Sequence, residues 1–192
     1  MAGKAENKIT YGLENVYYAL FDIGPDGTIT YKDQVPIPGA VELEITARGD
    51  MIEFYADNMV YYSSDNNQGY EGTLKIANIP QSFSVDVLGE VLDETDQVIH
   101  EFANAVTKAF ALLFQFEGDV KGIRHALYNC SASRPTIASA TKTDTVEPNE
   151  NELPFIANPR STDKMVKTRT TTNTSDTIYD NWFKKVYEKA AA

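Results

Sequence analysis

Alternation of hydrophobic and polar residues is the clearest pattern in the chain. Residues 39–46 read GAVELEIT, in which aliphatic side chains at positions 41, 43 and 45 alternate with Glu42, Glu44 and Thr46. Successive side chains of a β-strand point to opposite faces, so this stretch predicts a half-buried strand. Its outer face is acidic, which raises the question of what that face contacts.

Other apolar or alternating runs predict a mostly antiparallel β fold. Gly-Pro-Asp-Gly at 24–27 is a turn signal, and it joins residues 16–21 and 28–31 into a predicted hairpin. The run 108–117 is the most apolar, and its length and aromatic content favour a strand over a helix. The other predicted strands cover residues 51–55, 70–77, 122–130 and 166–172.

Two segments predict helices. The segment 79–89 carries Pro80 near its start, where proline suits the first turn of a helix. It ends at Gly89, and glycine commonly ends a helix. The predicted apolar face of this helix consists of Phe83, Val87 and Leu88. Residues 176–187 predict an amphipathic helix near the end of the chain. Its apolar face consists of Ile178, Trp182 and Val186.

The 192 residues predict one domain with appendages. We expect a flexible N-terminal arm over residues 1–14, a single β domain over 15–172, and a C-terminal helix and tail over 173–192. Residues 56–69 are rich in Asp, Asn, Ser and Tyr and predict a long polar loop. Such a loop exceeds what a plain hairpin needs, which favours a functional role.

The charge of the chain excludes some functions. The net charge is −11, and the first 100 residues carry 17 Asp and Glu against 5 Lys and Arg. An acidic chain is a poor candidate for binding nucleic acid, because affinity for the phosphate backbone comes largely from Lys and Arg. The single cysteine, Cys130, excludes an internal disulfide framework. No apolar run approaches the length of a membrane helix, so we expect no membrane partner.

Motifs that carry chemistry are missing from the sequence. The two histidines, His100 and His125, have no CxxC or HExxH around them, and no GxSxG or phosphate-binding glycine loop occurs. Carboxylate pairs are expected by chance in a chain with 28 acidic residues. We therefore expect no enzyme activity, no catalytic residue, no metal site and no cofactor.

Several segments resemble the major tail proteins of long-tailed, non-contractile bacteriophages (siphoviruses), which build the tail tube. The resemblance is strongest between residues 10 and 130. It is carried by LENVYYALF at 13–21, PIPGAVELEI at 36–45, FYADN at 54–58, and GYEGTLKIA at 69–77 with the helix segment that follows.

This resemblance implies a fold and a function. The implied fold is a mostly antiparallel β-sandwich or half-barrel with a flanking short helix at 79–89 and a C-terminal helix. Six subunits would form a ring in which their strands close one large inter-subunit β-barrel. Stacked rings would form a tube through which double-stranded DNA passes during ejection, without specific binding.

The resemblance also implies partners and a location. The main partner would be the chain itself, together with tape measure, tail terminator and distal tail proteins. The subunit would belong to the virion tail and assemble in the cytoplasm of the host bacterium. The loop at 56–69 would reach a neighbouring subunit or ring. Its candidate contact residues are Asp57, Tyr61, Tyr62, Asp65, Asn66 and Asn67.

The acidic strand face acquires a role under this hypothesis. Around a DNA conduit, like charge would keep the polyanion from adhering. Glu42, Glu44 and Glu53 are therefore the candidate lumen-facing acids. Alternation shows only that they face away from the core, so an outer surface is the alternative.

Two other classes of function remain open. A β-sandwich that binds carbohydrate or a receptor would use exposed tyrosines, for which Tyr61, Tyr62 and Tyr70 are candidates. A small hydrolase would need His100 or His125 in a pocket beside a carboxylate.

Overall fold

The computed structural model describes residues 5–137, 141 and 149–189, which form a mostly β structure with short helical segments. The strands are β1 (Thr10–Ile23), β2 (Ile29–Tyr31), β3 (Val35–Pro36), β4 (Ala40–Ala47), β5 (Met51–Ala56), β6 (Met59–Asp65), β7 (Tyr70–Ile76), β8 (Val91–Asp93), β9 (Val98–His100), β10 (Phe110–Gly118), β11 (Ile123–Ala132), β12 (Asn151–Ala157) and β13 (Lys167–Arg169). The helical segments are α1 (Gln81–Phe83), the π-helical turn Ser84–Leu88 that continues it, and α2 (Asp176–Asn181).

Nine strands form one antiparallel sheet in the order β2-β1-β10-β11-β12-β7-β4, with β3 beside β1 and β13 beside β11. Two hairpins, β5-β6 and β8-β9, form separate two-stranded sheets. No closed barrel forms within the described residues. The predicted antiparallel, mostly β fold class is confirmed.

The main core lies on one face of this sheet and under the helical segment. Phe83 packs edge-on against Tyr18 and Phe110, with ring centroids 5.1 and 5.4 Å apart. The residues predicted to form the apolar helix face are all buried. The helix begins after Pro80 and ends at Gly89, whose φ of 78° is left-handed and favours glycine. The prediction of a short flanking helix is confirmed.

A second core covers the opposite face of the central strands. Trp182 and Val186, from the segment after α2, pack with Tyr128 and with alanines and a leucine of the middle strands. Strand β10 is therefore covered on both faces, and residues 110–115 are all buried. Double-sided burial explains why this strand reads as an unbroken apolar run without alternation.

The C-terminal segment is held to the sheet by arginine contacts. The guanidinium of Arg124 lies 3.7 Å from the ring centre of Tyr179, and it donates to the main-chain carbonyl of the same residue. Arg160 is buried and pairs with Asp163 and Glu188, both at 2.5 Å. These contacts raise the pKa of Arg160, although burial alone would lower it.

Several element boundaries differ from the sequence predictions. Part of the flexible arm expected over residues 1–14 is ordered, because β1 begins at Thr10 and Asn7 donates to the carbonyl of Lys121 at 2.7 Å. The predicted helix over 176–187 ends at Asn181, and turns follow it. The loop expected over 56–69 contains strand β6, so that prediction was wrong for residues 59–65.

Candidate functional site: the hairpin arm, the acidic face and the strand edges

The strand pair β4-β7 continues outward into β5-β6, so residues 40–76 form one long ribbon with an irregular centre. At the junction, the amide of Arg48 donates to the carbonyl of Gly69 at 2.9 Å, and the amide of Gln68 donates to the carbonyl of Arg48 at 3.0 Å. Gln68 and Gly69 thus both lie opposite Arg48, which is a β-bulge. A bulge bends and twists a ribbon, and here the distal half leaves the body.

Glycines make this junction possible. Gly49 has φ +119°, and a Cβ on it would lie 1.6 Å from the carbonyl oxygen of Asn66. Gly69 has φ +94°, and a Cβ on it would lie 2.0 Å from the carbonyl oxygen of Ala157. The backbones therefore approach more closely at the base of the projecting hairpin than any side chain permits.

We call residues 51–65 the hairpin arm. Its strands join at Asp57 and Asn58, whose φ angles of 51° and 60° suit a two-residue hairpin turn. Strands of this length extend roughly 20 Å. No hydrogen bond, ion pair or ring contact joins the hairpin arm to the rest of the described residues.

Large apolar side chains cover the hairpin arm and are exposed to solvent. Phe54 and Tyr62 lie opposite each other in the register, and each is 59% exposed. The full set of exposed large side chains on the arm is Met51, Ile52, Phe54, Tyr55, Met59, Val60, Tyr61 and Tyr62. Contiguous exposed apolar surface is typical of a contact surface for another protein, whereas scattered single residues are not.

The register divides the hairpin arm into two unlike faces. Ile52, Phe54 and Ala56 lie opposite Ser64, Tyr62 and Met59, so one face is mainly apolar. The other face is formed by the remaining pairs and carries two acids, Glu53 and Asp65. The hydroxyl of Tyr55 donates to Glu53 at 2.6 Å, which orients this carboxylate along the strand.

The structure separates the residues predicted for the loop. Asp57, Tyr61, Tyr62 and Asp65 are exposed on the hairpin arm. In contrast, Asn66 and Asn67 lie at its base, where the side chain of Asn67 accepts a hydrogen bond from the amide of Gly69 at 2.9 Å. The last two therefore shape the junction.

The acidic face of the sheet is present, but it differs from the predicted set. Glu42 and Glu44 are exposed on β4. In the register they lie opposite Lys75 and Thr73 of β7, and Glu42 pairs with Lys75 at 2.7 Å. Glu53 belongs to the separate hairpin arm and not to this sheet.

Two acids outside the predicted set extend this face. Glu71 lies opposite Thr46, and Glu152 lies opposite Lys75, so both share the face of Glu42 and Glu44. Alternation in 70–77 and in 151–157 could have identified them, once these strands were known to be neighbours. A shallow trough of about 400 Å³ runs along this face between β4, β7 and β12.

One residue of the opening pattern departs from its predicted position. Leu43 and Ile45 pack against the main core as expected, but Val41 is 51% exposed. The register shifts between Ala40 and Glu42, so a bulge removes Val41 from the ladder. Simple alternation cannot foresee such an inserted residue.

The two histidines occupy unlike environments. His100 is exposed on β9. His125 lies mostly buried against Phe114, and burial, with Arg169 and Lys167 nearby, lowers its pKa to about 4. The groups that affect this pKa are cations and not the carboxylate that a hydrolase would need. Among the described residues, no cluster of three or more His, Cys, Asp or Glu could hold a metal ion.

Comparison with solved structures finds proteins of similar structure. No protein-family model matches the chain, and no curated protein matches it. The cryo-EM structure of the anti-feeding prophage cap, the cap that terminates the AFP tube, aligns with a TM-score of 0.45 and 13% sequence identity. The alignment covers 87% of this chain and 96% of that chain. No described helix has the length and apolar character required to cross a membrane.

Proposed function

We propose that this chain is a structural subunit of a bacteriophage tail tube, the major tail protein of a siphovirus. The proposal starts from the sequence resemblance of residues 13–21, 36–45, 54–58 and 69–77. Subunits self-assemble into hexameric rings, the rings stack, and the resulting tube conducts DNA into the host. The protein is a virion component that assembles in the host cytoplasm, and it is not an enzyme.

The observation that carries the proposal is the hairpin arm. An isolated two-stranded hairpin is at best marginally stable in water, and one with eight exposed large side chains also promotes aggregation. A partner that covers the arm removes both problems. In the proposed ring, that partner is another copy of the same chain.

Strand β4 provides a second reason for self-assembly. It pairs with β7 on one side, and the described residues provide no ladder partner for its other side. A strand without a second ladder partner invites a strand from another chain. If sheets continue from copy to copy and close into a barrel, every such edge is paired.

The acidic face is assigned to the lumen in this proposal. The face shared by β4, β7 and β12 carries four acids and one cation. The acids are Glu42, Glu44, Glu71 and Glu152, and the cation is Lys75. Such a surface repels the phosphate backbone and leaves DNA free to slide. The proposed additional partners are the tape measure, tail terminator and distal tail proteins.

Electron microscopy of the purified protein over a range of concentrations, with light scattering in parallel, tests the proposal. Rings or tubes with a central channel are the expected result. A protein that remains monomeric at all concentrations would contradict self-assembly.

A second candidate, a β-sandwich module that binds carbohydrate or a receptor, is favoured by one observation. Tyr61 and Tyr62 are 70% and 59% exposed, as sugar-stacking aromatics would be. The third predicted tyrosine, Tyr70, is partly buried and lies under the ammonium group of Lys167 at 4.2 Å. Binding to a glycan array without self-assembly would support this candidate.

A further inference from the structure

The acids of the hairpin arm are concentrated on one face and lack cationic partners. Glu53 and Asp65 share the less apolar face, and Asp57 stands at the turn. None of the three forms an ion pair within the described part of the chain. The arm thus presents one mainly apolar face and one face on which Glu53 and Asp65 stand among Met51, Tyr55 and Val60.

The opposite charge is concentrated on strand β13. Lys167 and Arg169 lie opposite Leu127 and His125 in the register, so both project from the same face of β13. Both are exposed, and neither forms an ion pair within residues 5–137, 141 and 149–189. The exposed Lys164 precedes them in the same segment.

The cations of β13 also influence a group inside the protein. After burial, the nearby charges of Arg169 and Lys167 are the causes that lower the pKa of His125. A cation without a carboxylate partner lowers the pKa of a neighbouring imidazole, whereas a carboxylate paired with the cation largely cancels this effect. Neither Lys167 nor Arg169 has a carboxylate partner within the described residues, although the ammonium group of Lys167 lies 4.2 Å from the ring centre of Tyr70.

Strand β13 also has an open edge. It pairs with β11 over three residues, and no other strand among the described residues pairs with it. Lys and Arg on a short edge strand discourage unspecific pairing, yet they favour a strand that carries acids. The charge pattern thus selects among possible partners.

The arm of the same chain does not use this edge. Its ribbon leaves the body at the Arg48–Gly69 bulge and makes no ion pair with Lys167 or Arg169. The other exposed apolar surface, on β8-β9, is a poorer acceptor because acids surround it. These acids are Asp93, Glu94, Asp96 and Glu101.

We propose that the acidic face of the hairpin arm of one copy binds strand β13 of a neighbouring copy. Glu53 and Asp65 then face Lys167 and Arg169 across the contact. This inference rests on the proposed function and names the surface that receives the arm. Donor and acceptor are different surfaces, so every copy keeps one of each available, and the contact closes into a ring or continues.

Charge exchange between the two surfaces tests the inference. One variant carries Lys167→Glu and Arg169→Glu, a second carries Glu53→Lys and Asp65→Lys, and a third combines all four. Sedimentation velocity and electron microscopy at low and high salt measure assembly. Each double variant should weaken self-association by about tenfold or more at low salt. The fourfold variant, or a mixture of the two double variants, should regain it.

A matched control carries Lys184→Glu and Lys185→Glu, since these exposed lysines also form no ion pair within the described residues. It lowers the net charge by the same amount as the variant with Lys167→Glu and Arg169→Glu, and it should assemble like the wild type. Milder Lys→Gln and Glu→Gln versions replace any reversal variant that does not unfold cooperatively.

The outcomes distinguish this inference from the proposed function. If the wild type assembles and the double variants assemble equally well, β13 is not the acceptor, although self-assembly stands. Weakened assembly without rescue in the combined variant would also overturn the pairing. A wild type that never assembles would overturn the tube proposal itself.

Discussion

The imidazole of His125 lies flat on the ring of Phe114, with centroids 4.9 Å apart and planes inclined by 3°. Stacking of this kind suits the neutral imidazole, because protonation would place a charge in a mostly buried site. The cations Arg169 and Lys167 lie nearby and add to the cost of protonation. The pKa of His125 is thus lowered from its usual value near 6.5 to about 4.

This shift predicts a specific dependence of stability on pH. Between pH 6.5 and about 4 the unfolded chain binds a proton at this histidine and the folded chain does not. Stability therefore falls as the pH drops through this window. Since one pKa unit corresponds to about 1.36 kcal/mol, the free energy of unfolding should fall by about 3 kcal/mol over the whole window.

Chemical denaturation of the wild type and of His125→Phe at pH 7, 6 and 5 measures this effect. The variant keeps an aromatic ring on Phe114 and should lose less stability on acidification. His100→Phe, at an exposed position, should retain the wild-type dependence. Parallel pH profiles for the wild type and His125→Phe would contradict the assignment.

Replacing Phe54 and Tyr62 by serine should separate folding from assembly. Both side chains are exposed in the single subunit, so the free energy of unfolding should change by less than about 0.5 kcal/mol. Self-association should be strongly reduced, because the arm loses its apolar anchors. Analytical ultracentrifugation and denaturant titration measure the two quantities.

The control for this pair is Phe102→Ser, which removes an equally exposed aromatic ring outside the hairpin arm. It should leave assembly unchanged. Equal loss of assembly in this control would indicate unspecific hydrophobic association.

The lumen assignment predicts an effect of charge on DNA passage. Reversal of Glu44, Glu71 and Glu152 to lysine should leave ring formation possible and slow ejection from particles built with the variant. Assembled tubes of the variant should also retain double-stranded DNA in a salt-dependent manner. Reversal of Asp93 and Asp96 on β8-β9 serves as the control. Unchanged DNA retention and ejection would place the acidic face outside the lumen.

The centre of the main core is sensitive to lost volume. Leu74 and Leu153 lie opposite each other on β7 and β12, and both are fully buried. Leu74→Ala should lower the free energy of unfolding by about 2 to 5 kcal/mol, through lost burial and a residual cavity. Val41→Ala, at an exposed bulge, should cost less than about 0.5 kcal/mol. Thermal or urea unfolding compares the two.

The base of the hairpin arm is sensitive to a single methyl group. Gly69→Ala places a Cβ against the carbonyl of Ala157 at a positive φ, and it should cost about 3 kcal/mol or more. Gly27→Ala provides the matched control. Its φ is +83°, but nothing lies within 4 Å of the added Cβ. Similar losses at both positions would mean that the backbone angle, and not the close approach, decides the cost.

Local patterns in the sequence predict much of this fold. The apolar run of β10, the capped helix at 79–89 and the alternation of β4 depend on neighbouring residues, and each is found close to its predicted place. The bulges at Val41 and at Gln68–Gly69 depend on cross-strand register, which a single strand does not encode. The strand character of 59–65 was missed because exposed tyrosines and serines on both faces gave no alternation.

The candidate site shows the same limit. Glu42 and Glu44 could be selected from one strand, whereas Glu71 and Glu152 join them only through the order of β4, β7 and β12. Glu53 looked equivalent in sequence, yet the junction at Gly49 moves it onto a separate hairpin. Strand β13 lies about 100 residues after the arm in the sequence. Their complementary charges could therefore not be recognised from neighbouring residues.

Within the described residues, no hydrogen bond, ion pair or ring contact joins the hairpin arm to its own body, and this has a kinetic consequence. An isolated hairpin of this kind has little stability of its own, so in the proposed assembly a neighbouring copy supplies the free energy that orders it. The first copies to meet must order their arms with few contacts in return. In the proposed assembly, a copy that joins a finished ring finds acceptor surfaces already in place. If the proposed rings form, growth should therefore begin after a lag and then proceed rapidly.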